Sequence, residues 1–139
     1  MGNQQAVLNN QIHKKNNISL DSVLNAISTV VIVLDLKSTI ILINTAAENF
    51  LQGSENYLKN RPLNTLLPKD NPVFSLIKKV REQGFGISEN KVILESPRIG
   101  RNLVNLQLTP LVEDPNIIMF KELDAKSFKY WKKKIKLSV

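Results

Sequence analysis

The side chains able to do chemistry are few and scattered along the chain. The single histidine, His13, stands in a leader rich in Asn and Gln and is followed by Lys14 and Lys15. A phosphoacceptor or metal-binding imidazole needs partners that orient it, and this stretch supplies none, so His13 is read as a solvated leader residue. Asp35 lies between two β-branched runs, where a carboxylate bonds turn N–H groups rather than substrate. Glu113-Asp114 reads as a solvated turn. No carboxylate has a partner at a spacing suited to general acid–base work. The chain has no cysteine, which excludes disulfides, thiolate metal sites and thiol nucleophiles. There is no GxGxxG and no Walker lysine motif. No catalytic residue, phosphoacceptor or metal ligand is expected, and the chain is expected not to be an enzyme.

Binding chemistry has more material. Asn44, Phe50 and Phe74 could line a small-metabolite pocket, although residues at such positions more often fill a core. Phe128, Trp131 and Ile135 are interleaved with lysines near the C-terminus, a pattern that suits either a nucleic-acid surface or a helical seam with a partner. Most of the net charge of +7 belongs to that region. Residues 121–139 carry seven lysines against Glu122 and Asp124, whereas residues 1–120 are nearly balanced. The basicity is therefore a property of a tail, most simply a solvated helix face, and nucleic-acid binding is the weaker reading.

The elements that must position these residues follow from their spacing. Ser19 precedes Leu20, Val23, Leu24 and Ile27, the i, i+3, i+4, i+7 pattern of an amphipathic helix with a serine N-cap. Residues 29–34 and 39–43 are β-branched runs around Asp35-Leu36-Lys37-Ser38, a tight hairpin. Asn44 leads into a short helix over 45–51, and Gly53-Ser54 breaks it before one further turn over 55–60. Asn71 and Pro72 form an N-cap and N1 pair for a helix whose buried face is Val73, Leu76, Ile77 and Val80. Lys78, Lys79, Arg81 and Glu82 fall on its wet face, and Gly84 is its stop. Strands are expected over 87–95, 102–112 and from 117, separated by turns at 96–101 and 114–116. From Asp124 the pattern reads as a basic helix with Phe128, Trp131 and Ile135 on one face.

This makes an α+β domain with a five-stranded antiparallel sheet, helices inserted after the second strand, and helices at both ends. Residues 1–18 are read as a disordered polar leader, 19–122 as the domain and 123–139 as the start of a linker or coiled coil. No apolar run is long enough to span a bilayer and no secretion signal is visible, so a soluble cytoplasmic protein is expected.

The stretch VLNAISTVVIVLDLKSTIILINTAAENFL, with its Asn-x-Ala-Ala-Glu step at 44–48, resembles the opening of the PAS domain in bacterial nitrogen-regulation sensor histidine kinases of the NtrB type. PLNTLLPKDNPVFSLIKKVREQG, ESPRIGRNLVNLQLTPL and IIMFKELDAKSFKYWKKK are similar to successive parts of the same domain, so the resemblance covers about residues 20–134. It implies the PAS fold and a sensory and dimerising role in two-component signalling. The dimer contact would be Leu20, Val23, Leu24 and Ile27 at one end and Phe128, Trp131 and Ile135 at the other. Members of that family continue into a helix with an H-E-x-x-N-P phosphoacceptor motif and an ATP-binding domain, on which a PII-type protein acts. This sequence contains neither, and is expected to be a fragment, a truncated product or a stand-alone PAS protein. Such a protein would form homodimers, or heterodimers with a full-length kinase. No cofactor is expected, because haem needs an axial ligand in the central helices and a flavin photoadduct needs a cysteine. The alternatives are a stand-alone receptor for a small metabolite and a basic-tailed nucleic-acid accessory protein.

Overall fold

The computed structural model describes residues 18–123 and 126–127. Helix α1 (Leu20–Ala26) starts at Ser19, whose side chain accepts from the Ser22 N–H. Strand β1 (Val30–Leu34) and strand β2 (Ile40–Ile43) then form the hairpin. Its turn closes on Asp35, whose Oδ1 accepts from the backbone N–H groups of Lys37 and Thr39, both at 2.9 Å. Two short helices follow, α2 (Thr45–Leu51) capped by Asn44 and α3 (Glu55–Leu58) capped by Ser54. A 3₁₀ turn, Leu63–Thr65, leads towards α4 (Pro72–Gln83).

Each end of α4 has a distinct physical cause. Asn71 accepts from the Val73 N–H and Pro72 supplies a preset φ at the first turn. Gly84, at φ 78°, takes the left-handed conformation that returns its N–H to the Val80 carbonyl. Of the anticipated buried face, Val73, Ile77 and Val80 are buried and Leu76 is half-buried against the same core.

The rest is sheet. Strands β3 (Ile87–Ser96), β4 (Gly100–Pro110) and β5 (Ile118–Glu122) join the hairpin in the spatial order β2-β1-β5-β4-β3, every pair antiparallel. A bulge between Glu89 and Val92 interrupts the β3–β4 ladder. The outer edge of β2 is covered by the 60–63 segment, through Ile40 N–H to Arg61 O and Asn60 N–H to Ile40 O. Alternation along the strands sends Ile32, Leu34, Leu106, Leu108, Ile118 and Phe120 to the face that meets Leu51, Leu58, Leu63, Val73 and Ile77. This is the anticipated α+β arrangement, with the helices inserted after the second strand and laid on the sheet.

The C-terminal end departs from the expectation. Lys126–Ser127 form a sixth short strand, β6, paired with Asn102 and Leu103 of β4, where the periodicity pointed to helix from Asp124. Strand length explains it. β4 has 11 residues and β5 only 5, so β4 extends beyond its pairing with β5. Lys126 and Ser127 take up two of the ladder positions left on β4. The leader and the rest of the basic tail lie outside the described residues.

Candidate functional site

Asn44 terminates β2 and is fully buried. Its Oδ1 accepts from the backbone N–H groups of Val31 and Ala47, both at 3.0 Å. Its Nδ2 donates to the carbonyls of Ile27 at 3.0 Å and Thr29 at 2.7 Å. Two donors and two acceptor sites are all that an amide side chain has, so none is left for a ligand. One side chain thus ties the end of α1, the start of β1 and the first turn of α2 together.

The other two anticipated pocket residues lie elsewhere. Phe50, half-buried on α2, lines a cavity of about 430 Å³ with Thr29, Ala46, Asn49, Glu122 and Leu123. Phe74 sits on α4 and packs half-buried against the core. Neither Asn44 nor Phe74 lines the cavity that holds Phe50. Glu122, a buried residue that lines it, is not among the anticipated residues. The signal was available, because Ile118, Phe120 and Glu122 alternate onto one face of β5.

Arg81 corrects the reading of α4. Placed on the wet face by periodicity, it instead reaches across to the β1–β2 turn. Its Nη2 donates to the Asp35 carbonyl at 2.6 Å and its Nη1 to the Ser38 hydroxyl at 3.1 Å. Burial lowers the guanidinium pKa, and the Asp35 charge opposes that effect. Its Nε is buried without a hydrogen-bond partner. Asp35 is occupied by this turn on both its carboxylate and its carbonyl, in keeping with a structural role.

Among the described helices, α1 alone has no buried residue of its own. Leu20, Val23 and Ile27 are 60%, 48% and 38% exposed, and Ile18, just ahead of the helix, is 52% exposed. Leu24 is half-buried. The helix is nevertheless oriented: Asn25 Oδ1 accepts from both the N–H and the hydroxyl of Thr45 at 3.0 Å. An apolar stripe is therefore held outward from a fixed joint. Phe128, Trp131, Ile135 and His13 lie outside the described residues. Among the described residues no group of His, Asp and Glu is arranged to hold a metal, and no helix is long and apolar enough to cross a membrane.

Comparison with known proteins agrees with this architecture. Residues 19–120 match the family described as PAS fold. The chain is 36% identical over 110 residues to the sensory histidine kinase/phosphatase NtrB of Rhizobium meliloti (strain 1021), covering 77% of this chain and 28% of that protein. It is 32% identical over 96 residues to the NtrB of Azospirillum brasilense, covering 69% and 24%. The chain thus spans about a quarter of the length of these relatives. Among solved structures, the PAS domain of nitrogen regulation protein NR(II) from Vibrio parahaemolyticus superposes with a TM-score of 0.63. That match, at 19% identity, covers 79% of this chain and 99% of that one, and it speaks for the fold. The match extends over nearly all of the described residues, from the start of α1 into β5, and the chain belongs to the PAS family.

Proposed function

We propose that this domain is the sensory and dimerising module of two-component signalling of the nitrogen-regulation type, acting in the cytoplasm as a regulator rather than a catalyst. The observation that carries the reading is the apolar stripe of α1, Leu20, Val23 and Ile27, outward on a helix with no buried residue. Large aliphatic side chains at that exposure lose hydrophobic free energy in water unless another surface covers them. Asn25 and Asn44 fix the angle at which the stripe is presented. A second copy covering it would form a symmetric contact, extended by Phe128, Trp131 and Ile135. The partner is another copy of this chain or the matching domain of a full-length sensor kinase, whose exit helices the contact would bias.

Light scattering on the full chain tests this directly. The wild type is expected at twice the monomer mass, and Val23→Glu at the monomer mass with its amide spectrum otherwise intact. A wild-type protein that stays monomeric at high concentration sinks the proposal.

A second reading, a receptor for a small metabolite, draws support from the cavity beside Phe50, Asn49 and Glu122. It predicts a rise in melting temperature with some member of a panel of amino and keto acids. No shift across the panel counts against it.

A further inference from the structure

The cavity beside Phe50 lies where the chain enters and leaves the sheet. Ser28 and Thr29, which join α1 to β1, line it together with Glu122 and Leu123 at the end of β5. Helix α2 contributes Asn49 and Phe50. At about 430 Å³ the space falls within the range of roughly 300–1,000 Å³ that holds small ligands.

The polar groups of this lining have capacity to spare. Among the described residues, no hydrogen bond engages the Ser28 hydroxyl, the Thr29 hydroxyl or the Asn49 side-chain amide. Glu122 is only 3% exposed, and of the described residues that line the cavity it alone is ionisable. It has an interaction within the chain, but a carboxylate offers about four acceptor positions, so an incoming donor can still be received. The charge decides which donor. A ligand carboxylate would be repelled by a buried negative group, whereas a cation is drawn to it and to the face of the Phe50 ring. A divalent metal ion takes several oxygen ligands, and no group of His, Asp and Glu among the described residues is arranged to hold one. An ammonium group needs only the one carboxylate and a few neutral acceptors, which the hydroxyls and the Asn49 carbonyl oxygen supply.

We propose that this cavity binds a small molecule through an ammonium group placed on Glu122, a reading that rests on the receptor function and names its ligand class. The occupant touches both exits of the domain. On one side is the Ser28-Thr29 joint, whose Thr29 carbonyl accepts from Asn44 at 2.7 Å. On the other is Leu123, whose N–H donates to the Asn105 carbonyl at 2.8 Å. The ligand is either a free amine or the amino group of an amino acid. In the second case its carboxylate turns to the exposed Ser28 and Asn49, away from Glu122.

The test is an NMR titration of the full chain, at fixed pH and ionic strength, with butylamine, 2-aminobutyrate and 2-oxobutyrate. Butylamine or 2-aminobutyrate is expected to shift the amides of Thr29, Asn49 and Leu123 to saturation. Saturation by butylamine assigns a site for amines at large, and saturation by 2-aminobutyrate alone assigns one for amino acids. Glu122→Gln should weaken that binding by about tenfold or more, the loss of a charge-assisted hydrogen bond. Asn49→Lys, a change at an exposed helical position, sets a like charge at the cavity and should weaken it by about threefold or more. Where Glu122→Gln folds, unchanged binding in that variant overturns the site; where it does not, Asn49→Lys decides by the same criterion. Saturation by 2-oxobutyrate alone keeps the receptor reading and overturns the ammonium assignment. Linear shifts with all three compounds overturn both.

Discussion

Asn44 donates to the carbonyl of Thr29 at 2.7 Å, joining the end of one strand to the approach of the strand beside it. With its three other bonds it satisfies backbone groups of Ile27, Val31 and Ala47 as well. Asn44→Ala leaves the buried N–H groups of Val31 and Ala47, and the part-buried carbonyls of Ile27 and Thr29, without this partner. A buried unsatisfied group costs about 1–3 kcal/mol, and partial relaxation limits the sum to roughly 3–4 kcal/mol. Urea unfolding of the two proteins should reveal a loss of that size. A loss under about 1 kcal/mol would mean that the four bonds are individually replaceable.

Arg81 offers a contrast between charge and shape. Arg81→Ala removes two hydrogen bonds to the β1–β2 turn and the packing of the stem, a cost of about 1–3 kcal/mol. Arg81→Met keeps the stem and also removes the unpartnered buried Nε, so its net cost is expected to be below about 1 kcal/mol. Equal destabilisation by both substitutions would assign the stabilisation to the hydrogen bonds alone.

These two residues mark where sequence reading reaches its limit. Helix α4 was legible because its causes are local: Asn71 and Pro72 at one end, Gly84 at the other, and a period-matched apolar face between them. The hairpin was legible for the same reason, since Asp35 bonds atoms two and four residues away. Asn44 was recognisable as a boundary, but three of its partners lie 13 to 17 residues back in the chain. Arg81 was misplaced because its partners are 43 and 46 residues away, a distance that periodicity does not see. The strand at Lys126–Ser127 depends on how far β4 outruns β5, a property of two elements together. The outward stripe of α1 is another matter. Its amphipathic period was plain, while its lack of an intramolecular partner could be known only from the fold.

Two glycines should fail for different reasons. Gly84 has φ 78° and nothing within 4 Å of the point where a Cβ would stand, so Gly84→Ala meets only the left-handed backbone penalty of about 1 kcal/mol. Gly84→Asn should recover part of it, because asparagine tolerates that conformation. Gly53 is hemmed in by Arg98, Tyr57 and Leu58 at 3.0 to 3.2 Å. Gly53→Ala must therefore push these neighbours aside by a few tenths of an ångström, and the bulkier Gly53→Asn must be worse rather than better. Thermal unfolding of the four variants checks this ordering. Rescue by asparagine at position 53 would show that the backbone, not the crowding, sets the requirement there.

Asn25 separates the orientation of α1 from the stability of the domain. Its Oδ1 accepts twice from Thr45, and both residues are exposed. Exposed neutral hydrogen bonds contribute little to global stability, about 0.5–1.5 kcal/mol each at most. Asn25→Ala is therefore expected to lower the unfolding free energy by no more than about 1 kcal/mol. Hydrogen exchange should tell more. The amides of α1 are expected to exchange faster in the variant, because the helix is held by few buried contacts and this joint is one of them. The amides of β1, β4 and β5 should keep their protection, since the core they share does not include α1. If the stripe on α1 is presented to a partner at a set angle, the same variant should also weaken self-association, although every apolar residue of the stripe is still in place. Unchanged exchange in α1 with unchanged association would remove Asn25 from the joint and leave Asn44 as its sole anchor.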